Sequence, residues 1–156
     1  MAEHDSAAEN KELMERVIRS YAEGDLRPLF EAVDENVIWI TSSPGTDFLP
    51  FGGTYFRSVG VSLASAEVFS TYQFQQFEPV EIVTQGDVVW GLFRIEALHH
   101  PSGNIVHADY AMRWCVRFGR IVHHQGFLDT AALLLQQGEV PDEPPPLSPD
   151  AAAPLG

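Results

Sequence analysis

Residues 49–55 read Leu49-Pro50-Phe51-Gly52-Gly53-Thr54-Tyr55, and this stretch decides the fold. It follows a β-branched and aromatic run at 37–40, which is typical of a strand. It precedes a helical pattern that begins after Ser58. Few folds place such a turn between a strand and a helix in this order. The helix is predicted to turn four apolar residues toward the core: Val59, Leu63, Ala66 and Phe69.

Two helices are predicted before the first strand. Apolar residues in 6–22 recur at the i, i+3, i+4 spacing of an amphipathic helix, at Leu13, Met14, Val17, Ile18 and Tyr21. Gly24 stops this helix, and Asp25 can cap a second short one that tolerates Pro28 in its first turn. The two segments therefore predict a helical hairpin.

The second half of the chain is predicted to be an antiparallel meander of four strands. Tight turns containing glycine separate these strands, and a terminal helical turn follows at 130–137, capped by Asp129 or Thr130 and ended by Gly138. Helices that precede a meander give a segregated α+β fold. The predicted strands are 74–84, 88–99, 106–118 and 120–129.

Composition indicates one globular domain. The chain has 156 residues and 45% hydrophobic content, which suffices for a single core. We expect a flexible N-terminus at 1–7, a domain at 8–138 and a disordered acidic tail rich in Pro and Ala at 139–156. The N-terminus lacks the pattern of a signal peptide, so a cytoplasmic location is expected.

The charge balance argues against two classes of partner. The net charge is −13 and Lys11 is the only lysine, whereas phosphate contacts need clustered Lys and Arg. Nucleic acid is therefore excluded as an expected partner, and anionic membranes are disfavoured for the same reason. The single cysteine, Cys115, lies in an apolar strand pattern and is expected to pack as a small hydrophobe.

Four motifs carry a resemblance that covers roughly residues 8–138. They are Glu23-Gly24-Asp25-Leu26, the stretch at 49–55, Gly119-Arg120-Ile121 and Phe127-Leu128-Asp129-Thr130. In these the chain resembles the SnoaL-like, ketosteroid-isomerase-related branch of the nuclear transport factor two-like superfamily. The resemblance implies a cone-shaped, barrel-like α+β fold, in which a curved and mostly antiparallel sheet wraps around N-terminal helices. It also implies a deep small-molecule pocket and a homodimer.

The resemblance also suggests where chemistry would lie. The steroid isomerases of the family use a tyrosine and two aspartates, but the matching positions here hold Val17, Ile40 and the run 112–114, none of which can move the proton. SnoaL-like cyclases use an acid on the last strand, and Asp129 occupies the matching place. This implies a cofactor-free acid/base cyclase or isomerase acting on an apolar, polycyclic carbonyl compound. An Asp before a helical turn is also a good N-cap, so both roles stay open for Asp129.

An alternative is an epoxide hydrolase. Relatives of that kind place Arg-x-Asp on a middle strand and a second Asp on the last strand, and Arg94, Glu96 and Asp129 could reproduce that triad here. Residues two apart on a strand share a face, so Arg94 and Glu96 could equally form a solvent-facing pair worth under about 1 kcal/mol. A second alternative is a non-catalytic ligand-binding or dimeric assembly module.

Histidines and aromatic residues complete the candidate site. Adjacent strand residues point to opposite faces, so the His99-His100 and His123-His124 pairs do not predict a metal site. His123 shares the face of Asp129 and is a candidate pocket hydrogen-bonding group or proton relay. Aromatic walls suit a flat, apolar ligand. The candidate ligand-binding residues are Trp39, Tyr55, Tyr110, Trp114 and Phe127.

Overall fold

The computed structural model of the protein describes residues 2–41 and 49–139. The predicted tail therefore lies outside the described residues, except for Glu139. The elements follow in this order: α1 (Ala2–Ala22), α2 (Arg27–Ala32), β1 (Val33–Thr41), β2 (Gly53–Phe56), α3 (Arg57–Thr71), β3 (Tyr72–Gln85), β4 (Val88–His99), β5 (Ile105–Arg117), β6 (Arg120–Phe127) and α4 (Thr130–Gln137).

The strands form one curved, unclosed sheet of six strands in the order β2-β1-β6-β5-β4-β3. The meander β3-β4-β5-β6 is antiparallel throughout, as predicted, and β1 joins it in parallel beside β6. β2 pairs antiparallel to the outer side of β1. The predicted α+β class and its mostly antiparallel sheet are confirmed.

The first two helices form the predicted hairpin. Gly24 adopts φ +84°, and the backbone N–H of Asp25 donates to the Ser20 carbonyl at 2.9 Å, which closes the end of α1. The Asp25 carboxylate accepts from the backbone N–H of Arg27 at 3.2 Å. α1 packs Met14, Val17 and Ile18 against the sheet, and α2 adds Leu29 and Ala32 to the same core.

The predicted inward face of α3 is largely wrong. Val59 and Leu63 are 61% and 59% exposed, and Ala66 is exposed as well. Only Phe69 packs inward, with its ring centroid 5.0 Å from that of Tyr21. The helix approaches β2 closely, and small residues permit this approach. The buried residues of its first three turns are Gly60, Val61, Ala64 and Ser65.

The last helix matches the prediction in both bounds. Asp129 caps it and Gly138 ends it with φ +77°. The Gln136 side chain fixes α4 to β5, because its amide accepts from the backbone N–H of His107 at 2.7 Å and donates to the carbonyl of His107 at 2.9 Å. Within residues 2–41 and 49–139, none of the helices combines the length and the apolar character that a membrane span requires.

Candidate functional site

A cavity lies between the helices and the concave face of the sheet. Its walls come from two apolar clusters of the described residues. One cluster holds α1 and α2 against the sheet, and the other joins residues 49–51 to α4. Most of the lining is aliphatic or aromatic. The lining residues that carry a hydroxyl or an imidazole are Tyr21, Thr41, Ser65, Tyr72, Tyr110 and His124.

The cavity has room for a small organic molecule. The space that the centres of water molecules can occupy in it is about 110 Å³. One buried water needs roughly 10–15 Å³ of such space, so the cavity could hold roughly seven to eleven waters, or a ligand of about ten heavy atoms. That is the size of a molecule with one or two rings.

Three aromatic rings form one wall. Trp39 of β1 stacks on His124 of β6, with ring centroids 3.9 Å apart and planes 17° apart. Trp114 of β5 lies on the other side, 5.9 Å from His124 between centroids. The register explains this arrangement, because His124 pairs with Trp39 on one side and with Trp114 on the other. Trp39 and Trp114 were predicted ligand-binding residues, and both line the cavity.

Hydroxyl groups from three elements meet at another part of the cavity. Tyr21 projects from α1, Ser65 from α3 and Tyr110 from β5. Ser65 and Tyr110 both lie close enough to Tyr21 to shift the pKa of its hydroxyl. Burial raises the pKa of Tyr21 far above its ordinary value, and Tyr110 raises it further, while the Ser65 hydroxyl opposes the shift. Its hydroxyl is therefore neutral at neutral pH and can act as a hydrogen-bonding group in the cavity lining.

Gly126 holds Tyr110 in position. Gly126 pairs with Met112, two residues from Tyr110 on the same face of β5. A Cβ at Gly126 would overlap the Tyr110 hydroxyl and lie 2.5 Å from its Cζ. The missing side chain is therefore what lets the phenol ring lie flat against β6. Tyr110, another predicted ligand-binding residue, lines the cavity.

Two further hydroxyls in the lining are used within the protein. Tyr72 accepts a hydrogen bond from the Gln137 side chain, and burial raises its pKa to about 12. The Thr41 hydroxyl donates to the Phe51 carbonyl. These bonds tie β3 to α4 and β1 to residues 49–52. The Thr41 donor is thus used within the protein, whereas Tyr72 accepts and keeps its own O–H.

The His124 ring differs from the Tyr72 and Thr41 hydroxyls, which have hydrogen-bond partners within the protein. It is 2% exposed, and neither ring nitrogen has a hydrogen-bond partner among the described residues. Burial, together with a smaller effect of the neighbouring His123, lowers the pKa of His124 to about 3. The backbone of Ile40 raises the pKa of His124 slightly, although it is not placed to form a hydrogen bond with the ring. At neutral pH the ring is an uncharged imidazole.

The structure places the Asp129 carboxylate at the N-terminus of α4. The backbone N–H of Ala132 donates to Asp129 Oδ1 at 2.9 Å, and Asp129 is exposed and does not line the cavity. This is the N-cap geometry, in which the carboxylate satisfies a free backbone donor. Of the two roles left open by the sequence, the geometry matches the cap.

Arg94 and Glu96 lie on the outer face of β4, away from the cavity. Arg94 Nε is 3.5 Å from Asp109 Oδ1, and Glu96 Oε2 is 3.4 Å from His107 Nδ1. Both partners are the directly opposite residues on β5. The triad of an epoxide hydrolase is therefore not assembled with Asp129, because the strand pleat turns Arg94 and Glu96 to the opposite side from Phe93 and Ile95.

Three other candidates also lie outside the cavity. His123 faces away from it and is half-buried, and burial lowers its pKa, with Arg113 lowering it further. Tyr55 packs over Gly60 of α3 rather than into the pocket. Phe127 is 44% exposed and stacks on Trp90, with centroids 6.1 Å apart.

The sequence analysis missed Tyr21, Ser65 and His124. Tyr21 was assigned to the apolar face of α1, and that assignment already predicts that it points inward. Ser65 gives no signal of its own, since small polar residues are common on helix surfaces. Among residues 2–41 and 49–139, no three His, Cys, Asp or Glu side chains are placed to share a metal ion.

Solved structures resemble this protein over most of its length. A nuclear transport factor two-like protein from Burkholderia xenovorans LB400 is 21% identical, with a TM-score of 0.73 over 85% of this chain and 98% of that chain. TerC co-crystallized with polyporic acid is 21% identical, with a TM-score of 0.72 over 83% and 98%. A protein from Mesorhizobium loti, assigned as a SnoaL-like polyketide cyclase, is 13% identical, with a TM-score of 0.62 over 74% and 96%.

Comparisons with protein families and with curated proteins gave no match. The chain matches no protein-family model, and it has no significant match among curated proteins. At identities of 13–21%, the structural likeness establishes the fold. The protein therefore has the nuclear transport factor two-like fold that SnoaL-like proteins share, as the motifs of its sequence predicted.

Proposed function

We propose that the protein binds an uncharged, largely apolar small molecule of one or two rings in this cavity. The observation that carries the proposal is the described lining, in which aliphatic and aromatic side chains surround a few hydroxyls and one neutral imidazole. A charged ligand would lose its hydration against such walls without comparable compensation. The net charge of −13 further disfavours an anion.

The aromatic wall supports a flat ligand. A planar ring can lie against Trp39 or Trp114 over a large area, and such contacts hold apolar ligands well. The likeness to TerC, which was co-crystallized with polyporic acid, also supports small-molecule binding. The volume favours a smaller compound than the polycyclic one that the resemblance implied.

Binding has better support than either catalytic alternative. Acid/base cyclisation through Asp129 requires its carboxylate at the ligand, but the carboxylate bonds the Ala132 backbone at an exposed helix end. Epoxide hydrolysis requires Arg94 and Glu96 beside Asp129, but each pairs with β5 on the outer face. As in the sequence analysis, the proposal includes no cofactor.

The test is a calorimetric titration with indane, a two-ring hydrocarbon of suitable size. We expect the parent protein to bind indane and to reject indane-2-carboxylate, its charged analogue. Val68 lines the cavity from α3, so Val68→Phe should fill the space and abolish binding. Leu63→Phe is the matched control, because Leu63 is exposed on the same helix and the variant should bind as the parent does.

Binding should also stabilise the fold. At a free indane concentration ten times the dissociation constant, the free energy of unfolding should rise by about 1.4 kcal/mol. Equal binding of indane by the parent and Val68→Phe would place the ligand elsewhere. No binding by the parent would contradict the proposal.

We also propose that the protein forms a homodimer through the outer face of the sheet. Trp90, Leu92 and Phe127 form an apolar patch there, with Trp90 41% exposed and stacked on Phe127. Exposed aromatic clusters of this kind are typical of interfaces. Trp114 does not contribute, because it is buried on the cavity side.

A further inference from the structure

The outer side of α3 is apolar although it faces solvent. Val59 and Leu63 are 61% and 59% exposed, and Ala66 is exposed as well. Their spacing of four and then three residues places these side chains in one row along the helix, which we call the α3 stripe. The exposed residues of α3 are Arg57, Val59, Ser62, Leu63, Ala66, Glu67 and Ser70. Only the first and the sixth of these carry a charge.

The first helix shows the usual pattern of a solvated surface in this protein. Within residues 6–22, the exposed residues of α1 are Ala8, Glu9, Glu12, Arg16 and Arg19. Four of these five are charged. In α3 the inner side already packs on the protein through Gly60, Val61 and Ala64, and the outer side is apolar too. A helix that is apolar on both sides is typical of one that is covered on both sides.

The C-terminal segment of the chain starts beside the end of α3. Gln137 is the last residue of α4, and its amide donates to the hydroxyl of Tyr72. Tyr72 is the residue that caps the C-terminus of α3. Burial raises the pKa of Tyr72, and the charge of Glu139 raises it as well, which places Glu139 nearby. Residues 140–156 therefore continue the chain from the C-terminal end of α3.

The length of this segment matches the position of the α3 stripe. Counted from Thr71, Leu63 lies about 12 Å and Val59 about 18 Å along the helix axis. A proline-rich chain advances about 3.1 Å per residue, so residues 144–147 lie about 16–25 Å beyond Glu139. The segment is therefore long enough to bring these residues to the stripe by running back along α3.

The chemistry of the segment also fits the stripe. Residues 144–149 read Pro-Pro-Pro-Leu-Ser-Pro and carry no charge, and the acidic residues of the segment lie on either side of this run. Proline restricts the free chain, so ordering it costs little entropy, and a polyproline backbone stays solvated without partner strands. The sequence predicts disorder because the segment lacks apolar surface for a core of its own. The α3 stripe supplies such a surface.

We propose that residues 144–149 bind the α3 stripe of the same molecule. The segment runs antiparallel to α3, and Leu147 packs beside Leu63 and Val59. The stripe is thereby covered without a second copy of the chain, and the patch at Trp90 on the sheet remains the surface proposed for the dimer. The inference does not depend on which ligand the cavity binds.

The test is disulfide trapping in the full chain. One variant combines Leu63→Cys with Ser148→Cys, and its matched control combines Ile105→Cys with Ser148→Cys. Ile105 is 41% exposed and follows Asn104, which bonds the Gln136 carbonyl, so it lies near the start of the segment but not on α3. Cys115 is buried and is left in place. With glutathione disulfide as oxidant, the intramolecular disulfide should close about tenfold faster at position 63 than at position 105.

A second pair of substitutions tests the contact of Leu147. Leu147→Ser, added to the Leu63→Cys and Ser148→Cys variant, should slow closure toward the rate of the Ile105 control, because it removes the apolar side chain. Leu155→Ser makes the same change outside the uncharged run and should leave the rate unchanged.

Three results would each contradict the proposal. Equal closure rates at positions 63 and 105 would mean that the segment has no preference for α3. Disulfides that form between molecules, at a rate that rises with protein concentration, would show that a second copy covers the stripe instead. Closure that stays fast in Leu147→Ser would show that the uncharged run does not bind there.

Discussion

His124 should make this protein lose stability as the pH falls from 8 to 5. The perturbation that isolates its contribution is His124→Phe, which keeps an aromatic ring against Trp39 and removes the titrating group. The parent buries an imidazole without hydrogen-bond partners, so the folded state holds it neutral. The unfolded chain exposes the same imidazole to water, where it can protonate.

The magnitude follows from the two pKa values. The pKa of His124 is about 3 in the folded state, against an ordinary value of 6.5 that applies to the unfolded chain. Below 6.5 the unfolded state binds more protons than the folded state, and so the free energy of unfolding falls as the pH falls. At pH 5 the loss is RT ln(1 + 10^(6.5 − 5)), about 2 kcal/mol. A folded pKa one unit higher would barely change this result, because the folded ring would still be mostly neutral at pH 5.

The assay is urea unfolding of the parent and His124→Phe at pH 8 and pH 5. Between these two values the parent should lose about 2 kcal/mol more than the variant. Other groups titrate in both proteins, including His99 and His123, whose pKa values burial also lowers, and their contributions largely cancel in the difference. His100→Gln, at an exposed position, is the matched histidine removal and should follow the parent. Parallel pH profiles for the parent and His124→Phe would refute the assignment of a buried neutral imidazole.

Three further predictions concern packing, capping and assembly. Gly126→Ala should lower the free energy of unfolding by about 1–3 kcal/mol, and the loss should shrink in a Tyr110→Ala background, where no ring opposes the new methyl group. Asp129→Ala should lower it by about 1 kcal/mol in urea unfolding, whereas Asp129→Asn, which retains a capping oxygen, should cost less, and neither should change indane affinity. Trp90→Lys should convert the proposed dimer to a monomer in analytical ultracentrifugation, while Leu63→Lys on exposed α3 should not.

Local signals in the sequence determined much of the fold. The last helix is the clearest case, since Asp129 and Gly138 fix its ends through a side-chain cap and a left-handed residue. Both signals act within a few residues, so they can be recognised without knowledge of the rest of the chain. The four strands of the meander were predicted for a similar reason, because glycine turns separate them.

The face of α3 could not be predicted in the same way. Large apolar residues usually indicate the buried side of a helix, but here Val59 and Leu63 are exposed. Burial follows Gly60 and Ala64, whose small side chains let α3 approach its neighbours closely, as Gly60 does against Tyr55. Which face of α3 is buried depends on the distance between this helix and its neighbours, and that distance is a property of the tertiary structure.

A single bulge explains which side chains of the last strand face the cavity. Arg117 pairs with Arg120 across the tight turn, and an unbroken register would place Trp114 opposite His123. The register shifts by one residue between Cys115 and Val116, so that Trp114 faces His124 instead.

Because the side chains of a strand alternate, that shift exchanges the two faces of β6 beyond Val122. His124 and Gly126 are turned toward the cavity, whereas His123 and Phe127 are turned away from it. The two predicted residues of β6, His123 and Phe127, are therefore turned away from the cavity by one and the same shift. The groups that replace them, a neutral imidazole and a tyrosine seated on glycine, favour orientation of an uncharged ligand over proton transfer by a carboxylate.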